Sequence, residues 1–254
     1  MLSTPAILAL LLPLTSAHPA ALASNSFSIL DPRAGPAAGN VIQNCVTPNT
    51  IALTFDDGPW QYEKSIVDQL NAAGAKGTFF VTGTLYNCIY SQRAQLKATY
   101  DAGHQIASHT WSHADLSTKS AADARLEMTK LETAFANILG VKPTYMRPPN
   151  GNSGGQTVSV MQQLGYRIVK WDIDSGDWNK ESPASSEGKF SSSSSASHIP
   201  LMHETVQTTS TTLLPWVLNW AKSKRLKMIT VAECLGDAGG AYTSPAPTTG
   251  ATTC

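Results

Sequence analysis

The sequence predicts an α/β fold, a shortened and irregular (β/α) barrel, on three observations. Short apolar runs alternate with amphipathic stretches between residues 45 and 235, the pattern of βα units laid on a parallel sheet. That span is too short for a complete eight-unit barrel, which typically needs ~250 residues. Polar residues able to do chemistry recur at the ends of the apolar runs, where barrels of this kind carry their sites.

Before the first unit, the chain reads as a leader. Residues 1–30 contain no Asp, Glu, Lys or Arg, and Ala6–Leu14 is an apolar run too short to span a membrane. The small residues Thr15, Ser16 and Ala17 place a signal-peptide cleavage after Ala17. The expected organisation is a signal peptide over 1–17, a flexible leader over 18–44, one folded domain over 45–235 and a C-terminal tail over 236–254. The tail has no hydrophobic stretch of the kind a lipid anchor requires, so free secretion as a monomer is expected. Eighteen basic residues balance eighteen acidic ones. That leaves no electrostatic case for nucleic acid or an anionic membrane and suits a neutral substrate.

Strands are expected over 51–55, 77–81, 104–108, 143–147, 167–172, 198–203 and 226–230. Helices are expected over 62–73, 92–102, 120–139, 155–164 and 209–223. The first strand runs into Thr54-Phe55-Asp56-Asp57-Gly58-Pro59, whose Gly-Pro breaks it. Adjacent carboxylates at the end of a buried strand need a partner or a cation; as sequence alone, the stretch is equally an Asp-Gly-Pro turn. The 104–108 strand leads into His109-Thr110-Trp111-Ser112-His113, whose histidines would face the same way on one helical turn. With Asp57 they form a two-His, one-carboxylate set with an open position, the pattern of a catalytic metal site.

In the 120–139 helix, Leu126, Leu131, Phe135 and Ile138 fall at helical spacing for core packing. The 143–147 strand ends in Arg147-Pro148-Pro149-Asn150-Gly151. Its prolines stiffen a loop, and its Arg makes a structural ion pair or holds a catalytic carboxylate. The next strand leads to Asp174-Ser175-Gly176-Asp177-Trp178, by itself an Asp-Gly turn. The Ser-rich run Ser191–Ser195, in the connection 179–197, reads as a solvated loop or helix end. Leu201-Met202-His203 closes the following strand.

Together these five stretches resemble the polysaccharide deacetylase family, the carbohydrate esterases that include chitin deacetylases and some acetylxylan esterases. All five family motifs are present in family order across residues 45–235, and the wording is most like a secreted fungal chitin deacetylase. The resemblance implies that Asp57, His109 and His113 hold a divalent metal, zinc ahead of cobalt. It makes Asp56 the base, tethered by Arg147, and His203 the general acid, oriented by Asp177. It gives Trp178 and Leu201 to the acetyl pocket and the Asn150 backbone N–H to the oxyanion. Asn150 stands where a Tyr is common, and Glu204 where an Asp is common. The implied reaction is metal-dependent hydrolysis of N-acetyl groups of chitin or chito-oligosaccharides to acetate and glucosamine units. Acetylxylan and peptidoglycan are the alternative substrates. Trp60 and Trp111 adjoin the motifs, either to stack on sugars or to pack.

Two rivals follow from the same residues. Gly151-Asn152-Ser153-Gly154-Gly155 fits the G-x-S-x-G pattern of a serine esterase, with Asp177 and His203 following in order; Pro148-Pro149 interrupt the strand that such an elbow needs. A non-catalytic carbohydrate-binding protein would have no use for a base, an acid and three metal ligands. The four cysteines allow three pairings. Cys45 and Cys234 flank the core, so their bond would staple its two ends; Cys88 and Cys254 then remain as the other pair.

Overall fold

The structure is a computed structural model, described here for residues 1–2, 35–194, 196–248 and 250–254. The chain divides into a unit over 1–32 and a unit over 33–254; every element below belongs to the second. The signal peptide, its cleavage point and most of the leader lie outside the described residues.

The strands are β1 (Val41–Ile42), β2 (Thr50–Ile51), β3 (Leu53–Asp56), β4 (Gly77–Val81), β5 (Gln105–Ser108), β6 (Lys142–Pro143), β7 (Tyr145–Met146), β8 (Arg167–Val169), β9 (Ile173–Asp174), β10 (Pro200–His203), β11 (Lys227–Met228) and β12 (Tyr242–Thr243). The helices are α1 (Glu63–Ala72), α2 (Arg93–Asp101), α3 (Ala121–Leu139), α4 (Thr157–Leu164), α5 (Pro183–Ser191), α6 (Leu214–Ser223) and α7 (Val231–Cys234). Eight strands form one curled, open parallel sheet in the order β1-β8-β7-β5-β4-β3-β10-β9. This is the shortened (β/α) barrel the alternation predicts.

The two-residue period of the strands sorts the core. Leu53, Phe55, Phe79, Val81, Ile106 and Met202 share one cluster with α1, α2, α3 and α6. Their neighbours Ala52, Phe80, Ala107, Tyr145 and Val169 face the other way, into a second cluster closed by α7. Both faces are therefore apolar, as a parallel sheet covered on both sides requires. α3 shows how the sequence terminates its helices. The Ser120 side chain accepts from Asp123 N–H at the start, and Gly140 takes the left-handed conformation (φ 72°) at the end.

Several expectations change. Leu126 is 50% exposed, while Ala124, Met128, Leu131 and Phe135 are buried. The true stripe runs 124-128-131-135, and Leu126 sits off it by geometry alone. The 143–147 strand splits at Thr144, whose N–H donates to Ala241. The connection 179–197 contains a helix not expected there, α5, signalled by Ser182 as N-cap and Pro183 in the first turn; it ends at Ser191, so the Ser-rich run starts at a helix end as one of its two readings had it. Residues 41–42 were expected to be flexible leader, yet Val41–Ile42 pair with β8. The tail is also fastened: β12 pairs with β6, and Cys254 is bonded to Cys88. Cys45 is bonded to Cys234, 189 residues on. Among the described residues, no helix is long and apolar enough to cross a membrane.

Candidate active site

The carboxyl ends of β3, β5, β7, β9 and β10 converge on one cavity of about 290 Å³. Its lining includes Asp56, Asp57, His109, His113, Asn150 and His203. Successive strand residues normally point to opposite faces. Asp57 avoids that by leaving β3 in the left-handed region (φ 75°), so that both carboxylates reach the cavity. Thr110 (φ 68°), His113 (φ 57°) and Asn150 (φ 58°) are left-handed as well. Four non-glycine residues in this conformation around one cavity represent local strain held by the surrounding fold. The two histidines therefore meet through a tight loop, not through the expected helical turn.

Asp57 Oδ1 lies 3.3 Å from His113 Nε2 and 3.5 Å from His109 Nε2. One donor atom from each of the three residues falls within 4.8 Å of the others. Nδ1 of His109 is 2.7 Å from the Arg147 carbonyl, which can only accept. Nδ1 therefore carries a proton, and Nε2 is the nitrogen turned toward Asp57. Burial, and next His109, push the His113 pKa down, favouring its neutral form. Asp57 Oδ1 is buried without a hydrogen-bond partner. Two imidazole nitrogens aimed at an orphaned carboxylate oxygen fit a divalent cation of the zinc type.

Arg147 is wholly buried beside this set. Its Nη1 donates to Asp56 Oδ1 and to Thr54 Oγ1, both at 2.7 Å. Nε donates to Val169 O and Nη2 to Lys170 O, while Phe80 stacks on its guanidinium at 4.3 Å. A buried cation so fully engaged keeps one geometry, and Asp56 is held by it.

Across the cavity, β10 pairs with β3 so that His203 is the register partner of Asp56. His203 Nδ1 is 2.7 Å from Asp177 Oδ1. The other Asp177 oxygen accepts from His203 N–H at 2.7 Å and from the Thr209 hydroxyl at 2.6 Å. Burial works against a charged His203, but the Asp177 hydrogen bond and the nearby carboxylates outweigh it, raising its pKa to about 9. Asp177 is the mirror case: burial alone would raise it, and the bonds from His203 and Thr209 bring it below the usual carboxylate range.

Asp174, Trp178 and Leu201 also line the cavity, Leu201 nearly buried and Trp178 58% exposed. The Trp178 indole N–H donates to Asp174. Ser153 follows no strand and is not in the lining, so the serine-esterase arrangement is absent. Trp111 packs on the core, its ring resting where a Gly83 side chain would begin. Trp60 packs instead against Tyr86. Sequence reasoning missed Thr54, Trp171 and Thr209. Thr54 was quoted inside the first motif, and Trp171 is the penultimate residue of an expected strand; Thr209 gives no local signal, because only the fold brings it to Asp177.

A family model described as polysaccharide deacetylase matches residues 43–169. A chitin deacetylase of Pestalotiopsis sp is 38% identical over 219 residues, covering 85% of this chain and 74% of its own length. The chitin deacetylase of Colletotrichum lindemuthianum is 33% identical over 88% of this chain and 94% of its own. Its solved structure matches with a TM-score of 0.80, covering 84% of this chain and 98% of that one. A peptidoglycan-N-acetylglucosamine deacetylase of Listeria monocytogenes is 31% identical, and this chain spans 40% of its length. The matched model ends before Asp177 and His203, but both fungal relatives align over most of the chain. With the fold, the five ordered motifs and their convergence on one cavity, this chain belongs to the polysaccharide deacetylase family.

Proposed function

We propose that the protein is a secreted, zinc-dependent deacetylase that removes N-acetyl groups from chitin or chito-oligosaccharides. The observation that carries the reading is the flanking of one cavity by an Arg-tethered carboxylate and an Asp-bound histidine, with Asp57, His109 and His113 between them. A divalent ion held by these three would supply a Lewis acid for the acetamide carbonyl and a more acidic water.

The chain's own groups do the rest. Asp56, fixed by Arg147, takes the proton of water as its oxygen bonds to the acetyl carbon. The Asn150 backbone N–H donates to the oxygen that gains negative charge, a contact typically worth about 3 kcal/mol. The C–N bond then breaks, and His203 gives its proton to the departing amine, leaving acetate and a free amino sugar. A His203 pKa near 9 keeps that proton available at neutral pH. Leu201 and Trp178 flank the acetyl methyl. The two disulfides support an oxidising, extracellular destination. The fungal relatives favour chitin, and the bacterial one keeps peptidoglycan in the test.

Acetate release by the zinc-loaded protein from chitin oligomers, acetylxylan and peptidoglycan, with and without chelator, tests this. Release from chitin oligomers should stop with chelator and return with zinc. Chelator-resistant release would overturn the metal assignment, and faster release from either other polymer would overturn the substrate.

A further inference from the structure

The two histidines beside Asp57 are placed by different means. Nδ1 of His109 is fixed directly by the Arg147 carbonyl, 2.7 Å away. The His113 ring has Asp57 Oδ1 at 3.3 Å from its Nε2, and no other described residue makes a hydrogen bond or ion pair with it. A metal-binding histidine is normally oriented through its other ring nitrogen. For His113 that task falls to the backbone, which is left-handed at Thr110 (φ 68°) and at His113 itself (φ 57°). Non-glycine residues keep that conformation only where their surroundings impose it.

The surroundings grip the two residues just before His113. On one side, the Trp111 carbonyl accepts from Gly83 N–H at 2.8 Å and from Thr84 N–H at 3.0 Å. On the other stands Glu127 of α3, whose carbonyl accepts from Trp111 N–H at 3.1 Å. The Glu127 carboxylate takes both donors of Ser112. Its Oε2 accepts from Ser112 N–H at 2.8 Å, and its Oε1 accepts from the Ser112 hydroxyl at 2.9 Å. Bonds to an ionised acceptor are the strong ones, and two of them fix orientation as well as distance. The anchor is rigid, because α3 buries Ala124, Met128 and Leu131 on either side of Glu127. Glu127 is absent from the cavity lining, so it reaches the site only through Ser112 and its neighbours.

We propose that Glu127 is the positioning residue for His113: by holding Ser112 at two points it sets the peptide that carries the histidine, and with it the reach of Nε2 toward a metal. The proposal rests on the metal assignment made above. It explains how a ligand on a strained loop, with no bond to its second nitrogen from a described residue, keeps its place beside Asp57.

The test uses the full chain and measures zinc Kd by competition with a chromophoric chelator, with the apo Tm alongside. Glu127→Ala should raise the zinc Kd about 10- to 100-fold. Glu127→Gln should stay within about threefold of wild type. Its amide oxygen accepts from Ser112 N–H, and its amide N–H donates to the Ser112 hydroxyl, which then serves as acceptor. Glu132→Ala is the control. It removes a carboxylate of the same helix that pairs with Lys142 at 3.1 Å, and should lower the apo Tm at unchanged zinc Kd. Ser112→Ala keeps the N–H bond and loses the hydroxyl bond. It should raise the Kd about threefold and stands in if Glu127→Ala folds poorly. With zinc saturating, Glu127→Ala should lose about tenfold in kcat at unchanged KM, since only the geometry of the ligand set is disturbed. A wild-type zinc Kd in Glu127→Ala, or in Ser112→Ala where it stands in, overturns the proposal, as does an equal loss in Glu132→Ala. A Gln variant as weak as the Ala variant also overturns it, because charge and not the pair of bonds would then be at work. If wild type binds zinc but releases no acetate, the deacetylase reading fails and the Kd series still decides the proposal. If wild type binds no zinc, both fall.

Discussion

The two sides of the cavity are built differently. On the Asp177–His203 side every polar atom of the aspartate is engaged, by His203 twice, by Thr209 and by Trp178 N–H, at 2.6 to 2.8 Å. On the Asp57–His109–His113 side the nitrogens stand 3.3 to 3.5 Å from a carboxylate oxygen that no donor satisfies. The first is a finished hydrogen-bond network that the protein completes by itself. The second is a set of donors arranged for something that is not protein. On the function proposed above, the first face supplies a proton and the second holds a divalent metal, and substitutions should separate the two.

The largest effect is expected on the incomplete side. His113→Ala should lose about 10³-fold or more in acetate release, together with tight zinc; metal analysis finding wild-type zinc in this variant would break the comparison. Next comes the acid. His203→Ala should lose about 10²- to 10⁴-fold on the amide while retaining zinc. It should lose much less on an activated acetate ester, whose leaving group departs without protonation. Equal losses on both substrates would remove His203 from that role.

Asp177→Asn sharpens the same point through pH. An opposite charge raises a histidine pKa, so its removal should bring the alkaline limb of kcat down from about 9 toward 6.5. The pair's stabilising contribution is full below 6.5 and is lost as pH rises through about 9; the variant's Tm deficit should therefore shrink at alkaline pH. An unmoved limb would mean that another group limits activity there. The smallest effect is thermal. Zinc at about a hundred times its Kd should stabilise wild type and Asp177→Asn alike, by about 2.7 kcal/mol, and should leave His113→Ala unshifted in a melt.

The two sides were also unequally legible in the sequence. Residue type and spacing offered Asp57, His109 and His113 as a candidate ligand set, because so few residue types bind such an ion, although the aspartates alone read equally as a turn and the motif order was needed to choose. His203 and Asp177 were each unremarkable singly, and only motif order joined them. Their bond depends on β10 lying beside β3 and on the left-handed Gly176 leading into Asp177, neither of which is a local property. The strands were legible as apolar runs, but their pairing was not, and neither was the fastening of β1 and β12. Two-residue strands have no period to read; what makes them is a hydrogen-bonding partner far along the chain. Leu126 shows the converse, where a plausible apolar residue at nearly the right spacing faces solvent.

The register of β3 with β10 has a consequence for how the protein comes into being. Phe55 pairs with Met202 and Asp56 with His203, so the middle of the sheet joins an early segment to a very late one. A nascent chain that has displayed both aspartates and both metal-side histidines still lacks the strand that completes its centre. Until β10 arrives, one edge of β3 is an unpaired row of N–H and C=O groups beside apolar side chains, the state in which strands associate with the wrong partner. Closing so long a loop is slow. During synthesis, therefore, Asp57, His109 and His113 can gather before Asp177 and His203 exist, and the cavity is completed only when β10 arrives.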